Sequence, residues 1–148
     1  MKSLSKLIGT RGELLAEENL LGQGYRVGTF SGDCDDGDKF IMVPGKKECR
    51  VVQVKTQADT SDGHVRLFCG TYREDENKRM TKVLYSPEDV DFIAAVALDR
   101  KRVAYIPLVL ALSWSPRGSL TLRLDLPRNG QKRGIHWFHE YEILERWA

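Results

Sequence analysis

Four residues stand out by type and spacing. Asp38 precedes a short apolar run, Phe40-Ile41-Met42-Val43; Gln53 and Lys55 sit two apart in Val51-Val52-Gln53-Val54-Lys55-Thr56; Glu13 lies earlier, behind Gly9-Thr10-Arg11-Gly12. The Pro44-Gly45-Lys46-Lys47 segment between the two runs signals a turn, and the second run is rich in β-branched residues, so Asp38 to Lys55 reads as a β-hairpin. Alternation along a strand sends Gln53 and Lys55 to one face and Val52, Val54 and Thr56 to the other. A lysine and an amide are out of place on a half-buried strand face. With an aspartate at the mouth of the neighbouring strand, a carboxylate, an amide oxygen and an ammonium surround one spot. Those groups suit a hard divalent cation and an activated water. Asp33, Asp35 and Asp36 compete with Asp38 for the carboxylate role; Asp38 is preferred because it enters the strand directly. Glu13 also has a plainer reading, as a first-turn acid that complements a helix dipole.

The elements that must position these residues follow from periodicity. Ser5 to Gly24 predicts a helix, with Leu14, Leu15, Ala16, Leu20 and Leu21 as its apolar positions and Gly22 and Gly24 as stops. Strands are expected over 25–30 and 64–72, and a charged connection without core pattern over 73–82. Ser86-Pro87-Glu88-Asp89 carries a capping serine, a proline and two acids, the start of a single turn. The continuous apolar run Phe92 to Leu98 suits a buried strand, with Val103 to Leu108 as its partner. Leu110 to Trp114 is ambiguous between helix and strand. Leu120 to Leu126 alternates as an amphipathic strand, Pro127 to Gly134 is a basic loop, and Phe138 to Trp147 is expected to close the chain as a helix.

With 148 residues, 41% of them hydrophobic and 30% charged, the chain has the composition of one ordinary folded domain spanning 1–148. A net charge of +2 does not by itself point to nucleic acid. The three cysteines, Cys34, Cys49 and Cys69, are odd in number and have no C-x-x-C spacing, which argues against a zinc site or a disulfide framework and fits a reducing cytoplasm. No apolar run approaches membrane-spanning length, and a cytoplasmic protein without membrane contact is expected. His64, His136 and His139 lack metal-ligand spacing and read as surface or interface residues.

An acid on the first helix, then an aspartate and Gln-x-Lys across a hairpin, resembles the PD-(D/E)XK nuclease superfamily. Further segments resemble its small single-domain branch, which includes a group I intron-encoded homing endonuclease: Tyr85-Ser86-Pro87-Glu88-Asp89-Val90-Asp91, Ala104-Tyr105-Ile106-Pro107, Leu122-Arg123-Leu124, Arg128-Asn129-Gly130-Gln131-Lys132 and Ile135-His136-Trp137. The resemblance spans roughly 9–142.

This likeness implies an α/β fold with a restriction-endonuclease-like core, a central mixed β-sheet flanked by helices. It also implies a Mg²⁺-dependent DNA endonuclease, with Mn²⁺ as a substitute ion. Asp38 and Gln53 would hold the metal, Lys55 would orient or activate the water, and Glu13 would act from the helix through an intervening water. Gln53 in place of the commoner glutamate leaves one fewer anionic ligand, which weakens metal binding. Site-specific cutting of double-stranded DNA implies a homodimer or homotetramer, since two strands need two active sites. Arg123, Arg128, Asn129, Gln131, Lys132 and Arg133 are the candidate DNA contacts, with cations for phosphates and amides able to read adenine edges. Two alternatives remain: a Holliday junction resolvase of the same superfamily, and an inactive DNA-binding module that lost a carboxylate at Gln53.

Overall fold

The β-branched run around Val52 becomes the middle of a five-stranded sheet in the computed structural model, which describes residues 3–31, 39–131 and 133–144. The chain begins with helix α1 (Leu4–Gly22), whose first turn is capped by the Ser3 hydroxyl accepting the Lys6 N–H. Strands β1 (Arg26–Thr29), β2 (Lys39–Met42) and β3 (Cys49–Gln57) follow as an antiparallel meander. Gly45 takes the left-handed conformation (φ 76°) in the β2–β3 turn, a position that favours glycine. Strand β7 (Phe92–Ala97) then pairs parallel to β3, and β8 (Arg102–Pro107) closes the order β1-β2-β3-β7-β8. All six residues of β7 are buried, as a continuous apolar run in a parallel pair requires.

The two faces of the sheet are covered unequally. On one face α1 places Ala16 and Leu20 over Ile41, Val52, Val54, Ala94, Val96 and Tyr105. Gly12 permits that approach, since a Cβ there would stand 1.7 Å from Thr56 Oγ1. The other face, with Ile93, Ala95, Ala104 and Ile106, meets Val65 of β4 (His64–Phe68) and Leu120 and Leu122 of β9 (Ser119–Arg123). The short helix α2 (Leu108–Trp114) and Phe138 complete that layer. The α/β class and the central mixed sheet are as expected, but strands β4 and β9 supply much of the second layer.

Several segments differ from their sequence expectation. The strand expected over 64–72 breaks at Cys69, whose N–H donates to Gly118 O while its carbonyl accepts the Tyr85 N–H. Beyond the break, the charged connection is itself a hairpin of β5 (Gly70–Glu74) and β6 (Met80–Leu84). Its tip is closed by the Asp75 carboxylate, which accepts the Asn77 and Arg79 N–H groups. The alternation over 120–126 holds only through Arg123, and Leu126 is 80% exposed. The expected closing helix is, among the described residues, a single 3-10 turn at Phe138–Tyr141. Ser86 does cap one turn, through Glu88 N–H to Ser86 Oγ, and no helix follows.

A polar lock ties the β3–β4 loop to the β7–β8 turn. Asp99 accepts both the backbone N–H and the hydroxyl of fully buried Thr60, while Arg100 donates to Thr60 and makes a two-pronged pair with Asp125. The Thr60 N–H holds the Asp99 carboxyl below its ordinary range. A depressed folded value means the Asp99 contribution is complete above the ordinary carboxylate range and is lost as pH falls through the folded value. Asp99→Ala, by leaving the buried Thr60 donors without their acceptor, should lower stability at neutral pH by about 1–2 kcal/mol in thermal or urea unfolding. The loss relative to wild type should shrink in acid.

Candidate active site

Among the described residues strand β2 pairs with β3 as far as Lys39 opposite Val52, while β3 runs on to Gln57. From this longer stretch Gln53 and Lys55 project to the face away from α1, level with Ile93 and Ala95 of β7. The alternation read from the sequence is therefore present in the fold. Gln53 is only 8% exposed, and its amide sits where a strand between two packed layers would ordinarily carry an apolar side chain.

The Lys55 ammonium is held on two sides. It donates to Gly70 O at 2.8 Å and lies 5.0 Å from the centre of the Tyr85 ring. Gly70 opens the β5–β6 hairpin and Tyr85 follows its last residue, so both roots of that hairpin touch Lys55. Between them in the packing is Cys69, whose thiol burial pushes up to about 11, an effect that nearby Lys55 partly offsets. Cys69 is therefore a neutral thiol at physiological pH. The sequence singled out Lys55 but not Gly70 or Cys69 as its surroundings. Tyr85 belonged to a motif quoted for other reasons.

On the opposite face, Lys39 is 5% exposed, with Nζ 3.6 Å from Glu17 Oε2 and 3.5 Å from Thr29 Oγ1. This buried lysine, which sequence reasoning missed, shares its strand face with Ile41; alternation alone could have located it. Glu13 is one helical turn before Glu17, on the same edge of α1, and is half-buried. Glu13 and the Gln53–Lys55 pair thus lie on different faces of β3. The ground they share is the edge of β3 past Val52. Asp38, adjacent in sequence to Lys39, lies outside the described residues, as do Asp33, Asp35 and Asp36.

The other candidates are arranged differently. Arg128, Asn129, Gln131 and Arg133 are exposed, and the first three line a cavity of about 650 Å³ with Arg123; Lys132 lies outside the described residues. Arg123 is engaged within the protein, its Nη1 3.2 Å from His64 Nδ1 and its backbone N–H donating to His136 O. His64 is buried beside Asp62 rather than on the surface, and His136 stacks on Trp114 at 3.7 Å, where burial holds its pKa below the ordinary value. Among the described residues, no three His, Cys, Asp or Glu side chains converge as a metal cluster.

The sequence profile of the PD-(D/E)XK endonuclease family matches residues 4–144. The chain belongs to that family. Among solved structures, this PD-(D/E)XK chain is similar to the bacterial homing endonuclease I-Ssp6803I, with a TM-score of 0.74 and 21% identity over 98% of this chain and 91% of that one. At that identity the likeness speaks for the fold. No curated protein sequence matches the chain. PD-(D/E)XK nucleases generally work with divalent metal ions. Among the described residues this site supplies one neutral oxygen donor, the Gln53 amide, a ligand type that suits a hard cation; the carboxylate expected beside it, Asp38, lies outside them. Among the described residues no helix is long and apolar enough to cross a membrane.

The seat of Lys55 can be disturbed without touching Lys55. A Cβ at Gly70 would meet Val83 O at 2.2 Å and the Phe68 ring at 2.7 Å, so the β5–β6 hairpin would have to shift. Gly70→Ala should cost about 1–3 kcal/mol in unfolding experiments. Its cleavage rate should fall by more than the folded fraction does, because Gly70 O moves with the hairpin.

Proposed function

We propose that the chain is a Mg²⁺-dependent DNA endonuclease, with Mn²⁺ as a substitute ion, that cuts double-stranded DNA at a specific site as a homodimer or homotetramer. The observation that carries this reading is Lys55, seated by Gly70 O and the Tyr85 ring two residues after the buried amide of Gln53, in a chain of the PD-(D/E)XK endonuclease family. The fold shared with a bacterial homing endonuclease supports the site-specific, double-strand form of the activity.

The residues divide the work by charge. Asp38 and Gln53 would hold the metal ion, which would neutralise charge building on the phosphate and make water a better nucleophile. Lys55, with one N–H engaged by Gly70 O, directs its positive charge at the attacking water or the scissile phosphate. Glu13, on the helix edge beside Lys39 and Glu17, orients water from the other side of β3. The exposed loop 128–133 contacts phosphates and base edges, with Arg128, Lys132 and Arg133 as its cations.

A cleavage assay on supercoiled plasmid and on a four-way junction, with and without Mg²⁺, tests the reading. Linearisation only with metal is expected; junction-restricted cutting would favour a resolvase, and binding without cutting an inactive module. The three central positions should fail differently. Asp38→Asn should reduce cutting at least about 100-fold and abolish metal binding while DNA affinity persists. Lys55→Ala should lose cutting yet still bind metal, and Gln53→Glu should tighten the metal. A folded Lys55→Ala protein that cuts at the native rate overturns the mechanism.

The loop assignment has its own readout. Replacing Lys132 and Arg133 with alanine should weaken binding to all sequences. It should also reduce the salt slope of the affinity by about one per lost phosphate contact. An unchanged slope returns the loop to a solvated turn.

A further inference from the structure

Helix α1 uses one face for the sheet and leaves a second apolar face uncovered. Gly12, Ala16 and Leu20 point inward. Leu4, Leu7, Leu14 and Leu21 are 45% to 73% exposed, an unusual density for one surface helix. Their positions follow a pattern: 4, 7, 11, 14, 18 and 21 advance by alternating steps of three and four, the seam along which two helices pack. All six positions are exposed, and the two that are not leucine are Arg11 and Glu18, one of each sign. Beside the seam, Arg11, Leu14, Leu15, Glu18, Leu98 and Lys101 line a depression of about 320 Å³.

The structure assigns this seam to a second copy of the same chain, packed antiparallel about a two-fold axis near Leu14. Self-complementarity is what selects that occupant. If residue n of one helix lies level with residue 28 − n of the other, Leu14 meets Leu14 and Leu7 meets Leu21. Arg11 then stands within one residue, about 1.5 Å along the axis, of Glu18 in the second copy. By symmetry each apolar contact and each charge pair occurs twice, as an isologous interface requires. A parallel arrangement would instead oppose Arg11 to Arg11 and Glu18 to Glu18. The 19-residue helix supplies roughly 28 Å of seam, and the depression beside Leu14 can receive an apolar side chain from the second copy. The inference deepens the oligomer proposed above, and it is read by mass and cross-linking, so it stands or falls separately from cutting.

Light scattering on the full chain at micromolar concentration should give a dimer or a larger even assembly, and Leu14→Glu should halve its mass while circular dichroism retains the native spectrum. Arg11→Glu and Glu18→Arg should each weaken the assembly at least several-fold, and the double exchange should restore it. In a chain carrying Cys34→Ser and Cys49→Ser, Leu14→Cys should form a disulfide dimer under mild oxidant. Leu4→Cys should not, its counterparts lying about 30 Å apart. A monomeric native chain, an unchanged mass for folded Leu14→Glu, no rescue by the double exchange, or equal cross-linking at Leu4 and Leu14 overturns the assignment. If Leu14→Glu unfolds, the charge exchange and the cross-links decide.

Discussion

The two faces of β3 are the constraint on which the rest depends. Val52, Val54 and Thr56 look toward α1, while Gln53 and Lys55 look toward the layer containing β4, β9 and the roots of the β5–β6 hairpin. Burying each of the two valines is worth about 1.5–3 kcal/mol, and a one-residue slip would exchange the faces. Such a slip would push Lys55 under α1 and expose the valines to the polar side. Hydrophobic packing on one face thus holds the polar pair in register on the other. A slip would also have to shift all six residues of β3 that pair with β7 in the parallel ladder.

That arrangement explains why a charged, exposed hairpin is rooted where it is. A lysine partly inside a protein needs an acceptor or an aromatic face near its ammonium. Gly70 O and the Tyr85 ring supply both, and they are the two ends of one excursion of the chain. The hairpin beyond them carries little apolar packing of its own. Its position is set at its base, through Cys69, whose N–H and carbonyl bond to Gly118 and Tyr85. Anything that moves the hairpin is therefore felt at Lys55.

Helix α1 carries two apolar faces with different spacings. The inward residues, Gly12, Ala16 and Leu20, recur every four positions and are small where the helix crosses β3. The outward Leu7, Leu14 and Leu21 recur every seven, with Arg11 and Glu18 between them. Glu13 and Glu17 lie on the edge between these faces, and Glu17 reaches the buried Lys39. A helix that is clamped to the sheet and also forms the proposed two-fold contact would carry Glu13 in a fixed relation to both copies.

Local periodicity by itself determined the first helix, the β2–β3 hairpin, the buried strand at Phe92, and the face on which Gln53 and Lys55 stand. The helix and the face assignment are repeats of 3.6 and two residues, and the hairpin and the Phe92 strand are apolar or β-branched runs bounded by turn signals; all are visible without knowing any neighbour. Only the tertiary structure decided the rest, because it depends on which distant segment takes a hydrogen bond or covers a side chain. The run from His64 to Tyr72 alternates without interruption, yet at Cys69 its hydrogen-bonding partner changes from β9 to β6. The charges of residues 73–82 concealed a hairpin, since a ribbon exposed on both faces has no apolar pattern to read. Leu120 to Leu126 alternates past the end of its strand, where the Leu124 and Asp125 N–H groups converge on Gly63 O instead of continuing the ladder. At the candidate site, sequence alone pointed to Glu13, Gln53 and Lys55 by residue type and spacing. Alternation places Lys39 on the inward face, but its partner Glu17, like the carbonyl and ring that hold Lys55, comes from pairings across 15 to 30 positions that alternation does not encode.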